Sequence, residues 1–132
     1  MNEDKKNEWQ MPEIKERGLN RHLWTVFHRE NFKLGRDTDI GAFTLIDATH
    51  GVVIEEGVKI GSHCSIYSRT DIDSKAGKVA LKKNSSVGSH CVVMPGITIG
   101  ENSIVGAMSF VNRDIPPNEV WAGCPARFLK KR

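Results

Sequence analysis

Taking every sixth residue from position 81 gives Leu81, Val87, Val93, Ile99, Val105 and Val111, an unbroken aliphatic series. Two residues ahead of each stands a small or aliphatic one: Val79, Ser85, Cys91, Ile97, Ser103 and Ser109. Glycine often follows, as at Gly88, Gly100 and Gly106. A period of six matches neither the 3.6 of an α-helix nor the 2 of a lone strand. It suits a solenoid in which each hexad is one short strand and one corner. Two side chains per hexad then point inward, and glycine relieves the bend.

The same spacing extends upstream. Leu34, Ile40 and Ile46 are preceded two residues earlier by Phe32, Thr38 and Thr44. The phase shifts across Thr49-His50-Gly51 and resumes at Ile54, Ile60 and Ile66, with Val52, Val58 and Cys64 as companions. A second interruption, Tyr67 to Lys78, is polar and rich in turn formers, and Ile72 belongs to that loop. Three hexads make one turn of a triangular prism. Residues 34–132 therefore read as an all-β domain of about four coils: Leu34–Ile46, Ile54–Ile66, Leu81–Val93 and Ile99–Val111. Both interruptions fall at the same corner, one above the other. Insertions there leave the core intact and can build a site.

Residues 1–33 read as a cap or extension. The first twenty are largely charged, with Trp9, Met11 and Ile14 as anchors. Residues 21–33, carrying Leu23, Trp24, Val26, Phe27 and Phe32, are expected to cover the open strand edges of the prism. At the other end, Pro116-Pro117 cannot donate to a ladder, so the prism is expected to stop at Val111. Glu119 to Arg127 would then return as a strand and turn, and Phe128 to Arg132 would form a short helix.

With 132 residues the chain is one domain by length, and a net charge of +3 does not point to nucleic acid or a membrane surface as partner. No apolar run approaches the ~18 residues of a membrane span. Met1 to Lys15 is charged and polar, unlike a signal peptide. Cys64 and Cys91 occupy inward slots of the repeat, as free buried thiols of a reducing compartment would. The cytoplasm is the expected location.

Several segments resemble the hexapeptide-repeat acyltransferases, and in particular the small sugar O- and N-acetyltransferases such as the galactoside and maltose enzymes. They are Ile60-Gly61-Ser62-His63-Cys64-Ser65-Ile66, Pro95-Gly96-Ile97-Thr98-Ile99-Gly100, Val105-Gly106-Ala107, and Val111 to Asn118 followed by Ala122-Gly123-Cys124-Pro125-Ala126-Arg127. The resemblance covers roughly residues 34–129. It implies a left-handed parallel β-helix assembled as a homotrimer. It also implies acetyl-CoA as co-substrate, in a groove between adjacent prisms, with a sugar or nucleotide-sugar acceptor entering at the loop-bearing corner. Surface polysaccharide synthesis is the implied setting. The matched cofactor positions are Ser89, Ala107, Asn112, Arg113 and Arg127. Trp121 stands near the cofactor end, where it could stack on adenine or cap the last coil.

Acetyl transfer needs a base for the acceptor's proton, and histidine suits that task near neutral pH. The sugar acetyltransferases carry it in the loop after the second coil. Here that loop reads Ile66-Tyr67-Ser68-Arg69-Thr70-Asp71, with no histidine. His50, projected from a turn beside Gly51, is one substitute, and Asp71 or Asp73 is another. An amine acceptor that loses its proton to solvent is a third. Asp47, Arg69 and Asp73 are candidates for holding the acceptor. His63 and His90 share a place in the hexad, after Gly-Ser and before Cys, which argues for a corner role. A zinc enzyme on the same helix would need three histidines around one metal, and the required close pair is missing, so no metal is expected. A non-catalytic β-helix that scaffolds partners or binds a sugar remains the alternative.

Overall fold

The computed structural model describes residues 8–132, so the charged start of the extension, 1–7, lies outside the described residues. The chain winds as a three-sided parallel β-solenoid of five coils rather than four. The first coil holds β1 (Thr25–Phe27), β2 (Phe32–Leu34) and β3 (Asp39–Ile40). The second holds β4 (Leu45–Asp47), β5 (Val52–Ile54) and β6 (Lys59–Ile60). The third holds β7 (Ser65–Tyr67), β8 (Val79–Leu81) and β9 (Ser86–Val87). The fourth holds β10 (Val92–Val93), β11 (Thr98–Ile99) and β12 (Ile104–Val105). The fifth holds β13 (Phe110–Val111) and β14 (Glu119–Gly123), after which β15 (Ala126–Lys131) returns antiparallel along β14. The three faces are β1-β4-β7-β10-β13, β2-β5-β8-β11, and β3-β6-β9-β12-β14-β15, here called faces A, B and C.

The hexad register holds throughout the stretch that defined it, from the third coil into the fifth. Every inward residue from Val79 to Val111 is buried, the small members Ser85, Cys91, Ser103 and Ser109 included. Parallel pairing stacks like on like, so Ile46 lies over Ile66 and Ile66 over Val93. Each aliphatic column is thus a continuous apolar ladder, and the companion columns include small and polar residues. Two of the core serines satisfy their hydroxyls on carbonyls of the winding chain, Ser103 on Pro116 O and Ser109 on Gly106 O at 2.6 Å, whereas Ser85 Oγ has no partner among the described residues.

Three expectations at the ends need correction. The solenoid begins before Leu34, because Val26 and Phe32 already fill inward slots of a first coil. The hexad count missed it because residues 28–31 interrupt the phase with a 3-10 turn over Arg29–Asn31. Nor does the prism stop at Val111. The two prolines occupy the corner, while Ile115 bridges Ile99 on face B and β14 pairs parallel with β12. Proline is excluded from ladder positions, not from corners. The C-terminal residues form strand β15 and not a helix, since their backbone groups pair with β14.

Ahead of β1 the extension lies across the open end. Trp9 Nε1 donates to Thr38 O at 2.8 Å, and Glu16 forms a parallel bridge with Val26. Glu16 accepts from the His28 and Arg29 amides, and these bonds, Arg29's foremost, hold its carboxyl below the usual range. Buried Trp24 meets Phe32 edge to face at 6.4 Å and plugs the core from below.

Candidate active site

Each passage from face A to face B makes one corner, and that corner carries the irregular segments. Residues 28–31 make it in the first coil, 48–51 in the second and 68–78 in the third, so both interruptions stack as their phase implied. Hydrogen bonds tie one to the next. Ala48 N donates to Phe27 O at 2.9 Å, Ser68 N to Asp47 O at 2.9 Å, and Gly96 N to Gly77 O at 3.1 Å. The long insertion is itself a small antiparallel arm, with Arg69 bridged to Ala76 and its tip bearing the fully exposed Ile72.

His50 stands exposed on the second-coil segment. Its backbone is fixed: His50 N donates to Ser68 Oγ at 2.9 Å, and buried Ser68 donates that hydroxyl to Asp47 O at 2.7 Å. Gly51, with φ +99°, supplies the left-handed turn beside it. His50 lines a cleft of about 410 Å³ whose walls also include Asn31, Lys33, Thr49 and Lys78. Lysines 33 and 78 were not singled out from sequence, because they come from different coils and only stacking brings them together. The outward position of Lys33 between the inward residues Phe32 and Leu34 was the available signal.

The acidic candidates are engaged locally. Asp47 Oδ1 accepts from Thr49 N at 3.0 Å and from Thr49 Oγ1 at 2.5 Å, closing a turn that orients the His50 segment. Asp71 pairs with Arg69 at 3.1 Å on the exposed arm. Asp73 accepts from the Thr70 hydroxyl and pairs with Lys75 at 3.6 Å. The Thr70 bond above all holds the Asp73 carboxyl below its usual range, which makes it a weak proton acceptor. His50, Asp47, Arg69, Asp71 and Asp73 thus share one corner, but His50 alone of the five borders the cleft.

The cofactor positions fall on both edges of face A. Ser89 and Ala107 lie on the corner from face C to face A, where the coils approach closely. A methyl group added at Gly61 would meet Ser89 N at 2.5 Å, and one at Gly88 would meet Ala107 N at 2.6 Å. Arg127 sits above them, on β15 opposite Ala122, with Nη1 donating to Ala126 O at 2.9 Å. Asn112 and Arg113 are exposed at the opposite edge, on the corner from face A to face B of the last coil. Small residues low on one edge and cations at both suit a long, phosphate-bearing ligand. Trp121 is part-buried against the core, its indole N–H donating to Glu119 Oε1 at 2.9 Å.

His63 and His90 both adopt a left-handed backbone, φ 58°, on the face C to face A corner. Their rings stack at 4.7 Å and 5°, and Phe43 tilts against His63 at 5.3 Å. Leu23 and Met108 continue this column with the same backbone. Among the described residues no three His, Cys, Asp or Glu side chains gather as metal ligands.

Residues 79–113 match the family model described as bacterial transferase hexapeptide (six repeats). The galactoside O-acetyltransferase of Escherichia coli is 49% identical over 53 residues, covering 40% of this chain and 26% of that protein. The curated relatives the chain matches are longer, and it spans about a third of their length or less. Among solved structures, a hexapeptide-repeat acetyltransferase of Vibrio cholerae, crystallised with acetyl coenzyme A, superposes with a TM-score of 0.77. It shows 25% identity over 82% of this chain and 64% of that one. A maltose O-acetyltransferase from Clostridium difficile gives a TM-score of 0.69 and 27% identity, over 82% of this chain and 63% of that one. Repeat, coil and relatives agree: residues 79–113 carry the bacterial transferase hexapeptide repeat, and the chain is similar in sequence and fold to hexapeptide-repeat acetyltransferases.

Proposed function

We propose that this protein transfers the acetyl group of acetyl-CoA to a hydroxyl or amine of a sugar or nucleotide-sugar. The carrying observation is the stacked corner between faces A and B, where His50, its backbone held by Ser68, borders a cleft of acceptor size. Acetyl-CoA supplies an activated acyl carbon as a thioester. Ser89, Ala107, Asn112, Arg113 and Arg127 would hold it along face A, with the arginines on its phosphates. His50 accepts the acceptor's proton as the acceptor attacks and returns it to the departing thiol. Asp71 and Arg69 on the arm, with Asp73 and Asp47, bind acceptor hydroxyls and set its orientation.

The working form is a homotrimer. Phe43 and Met108 are more than half exposed on the column beside Ser89 and Ala107, an apolar edge that a neighbouring prism would bury. The setting is surface polysaccharide synthesis in the cytoplasm. Buried, unpaired Cys64 and Cys91 support a reducing compartment. No helix among the described residues is long and apolar enough to cross a membrane.

A thiol-release assay with acetyl-CoA over a panel of sugars, amino sugars and nucleotide-sugars tests the reading. Acceptor-dependent release is expected. Acetyl-CoA binding with no release for any acceptor would favour a non-catalytic β-helix instead.

A further inference from the structure

The cleft beside His50 carries a charge imbalance that the transfer chemistry does not use. Lys33 projects from β2 on the first coil, and Lys78 stands just ahead of β8 on the third. The Lys78 stem runs over Gly51, its Cγ 3.5 Å from where a Gly51 methyl would stand. Neither lysine has a carboxylate within ion-pair distance among the described residues.

Several other charges around this corner are matched. Arg69 is paired with Asp71, Lys75 with Asp73, and Lys82 on the adjoining face with Glu55. Glu30 also borders the cleft, but it lies 3.4 Å from His28 Nδ1. The wall between the lysines is stiff, since Asn31 Nδ2 donates to Thr49 O at 3.0 Å and His50 N is bonded to Ser68. Two unpaired ammonium groups on a fixed concave wall focus a positive potential where an acceptor must enter.

We propose that Lys33 and Lys78 hold an anionic group of the acceptor, a phosphate or a carboxylate, and so present its hydroxyl or amine to His50. This rests on the transferase reading for the ligand's role, but the anion site itself can be measured without turnover. Of the acceptors considered above, it selects charged sugars over neutral glycosides. Strong hydration and three rotatable donors make lysine suited to an anion of either geometry.

The test has two arms. In the first, inorganic pyrophosphate and free glucuronate are titrated into protein saturated with CoA, for the wild type and for Lys33→Gln, Lys78→Gln and the double variant. Binding of at least one probe is expected to weaken about tenfold for each lysine removed. CoA affinity and the thermal midpoint should not change. Probe binding indifferent to both lysines, or a matching loss of CoA affinity, would overturn the proposal.

In the second arm, thiol release is compared for neutral sugars, uronic acids and nucleotide-sugars. The expected pattern is a KM for the charged acceptor that rises about tenfold per substitution, with kcat nearly constant. Whether uronic acids or nucleotide-sugars respond identifies the anion. A KM for charged acceptors that neither substitution changes, with thiol release intact, would sink the anion site and leave the transferase standing. Lysine-dependent probe binding with no thiol release for any acceptor would support the anion site and remove the transferase.

Discussion

At the scale of single residues, the site depends on how a few side chains are held. His50 is a surface residue, yet its backbone is pinned through Ser68 to Asp47 on the same coil. Replacing it with Asn should cut turnover about 100-fold or more while acetyl-CoA affinity stays unchanged, measured by thiol release. Wild-type rates would hand the proton to the arm carrying Asp71. The cysteines give an independent check on the register. Cys64 and Cys91 lie side by side in the core, with the Cys64 thiol pushed up by its neighbour and by burial, whereas Cys124 is exposed. A thiol reagent should modify one cysteine quickly in the native protein and all three after denaturation. Two fast native thiols would place a supposed core column at the surface.

At the scale of elements, the hexads made the middle of the prism readable and left its ends obscure. The reason is physical. Inward slots demand aliphatic or small residues at fixed spacing, so β8 to β13 declare themselves. Corners demand only a compatible backbone, so they hide β1 and β14, which complete coil one and coil five. His28 to Asn31 broke the count ahead of Phe32, and Pro116-Pro117 read as a stop although they sit at a bend. The site was legible only in part. The shared corner followed from phase alone, but Lys33 and Lys78 became neighbours of His50 through stacking, which no local pattern records. The close passage of coils also explains the corner glycines. Gly61 faces backbone of the next coil at 2.5 Å where a methyl would stand. Gly61→Ala should therefore destabilise the fold by about 1–3 kcal/mol, read from the denaturant midpoint. An unchanged midpoint would mean that the coils can spread at no cost.

At the scale of the whole molecule, the proposed function assigns one edge of the prism to acceptor chemistry and another to assembly. The column of Leu23, Phe43, His63, His90 and Met108 runs the length of the face C to face A corner. Exposed apolar side chains in such a row are costly for a monomer and useful to a trimer. The particle mass in solution should be three times the chain's 14.7 kDa. Phe43→Asp with Met108→Asp should reduce it to one chain and abolish turnover without unfolding the coil, checked by light scattering and circular dichroism. A trimer that survives both changes would put the interface on another edge.

The account as a whole stands on where the reactive carbon lies. A crystal structure with acetyl-CoA bound measures this directly. The thioester should sit at the corner between faces A and B, close enough for an attacking acceptor atom to reach the His50 imidazole within about 3 Å or through one water. A thioester carbon from which no attacking acceptor atom could reach a His50 imidazole, directly or through one water, would contradict it.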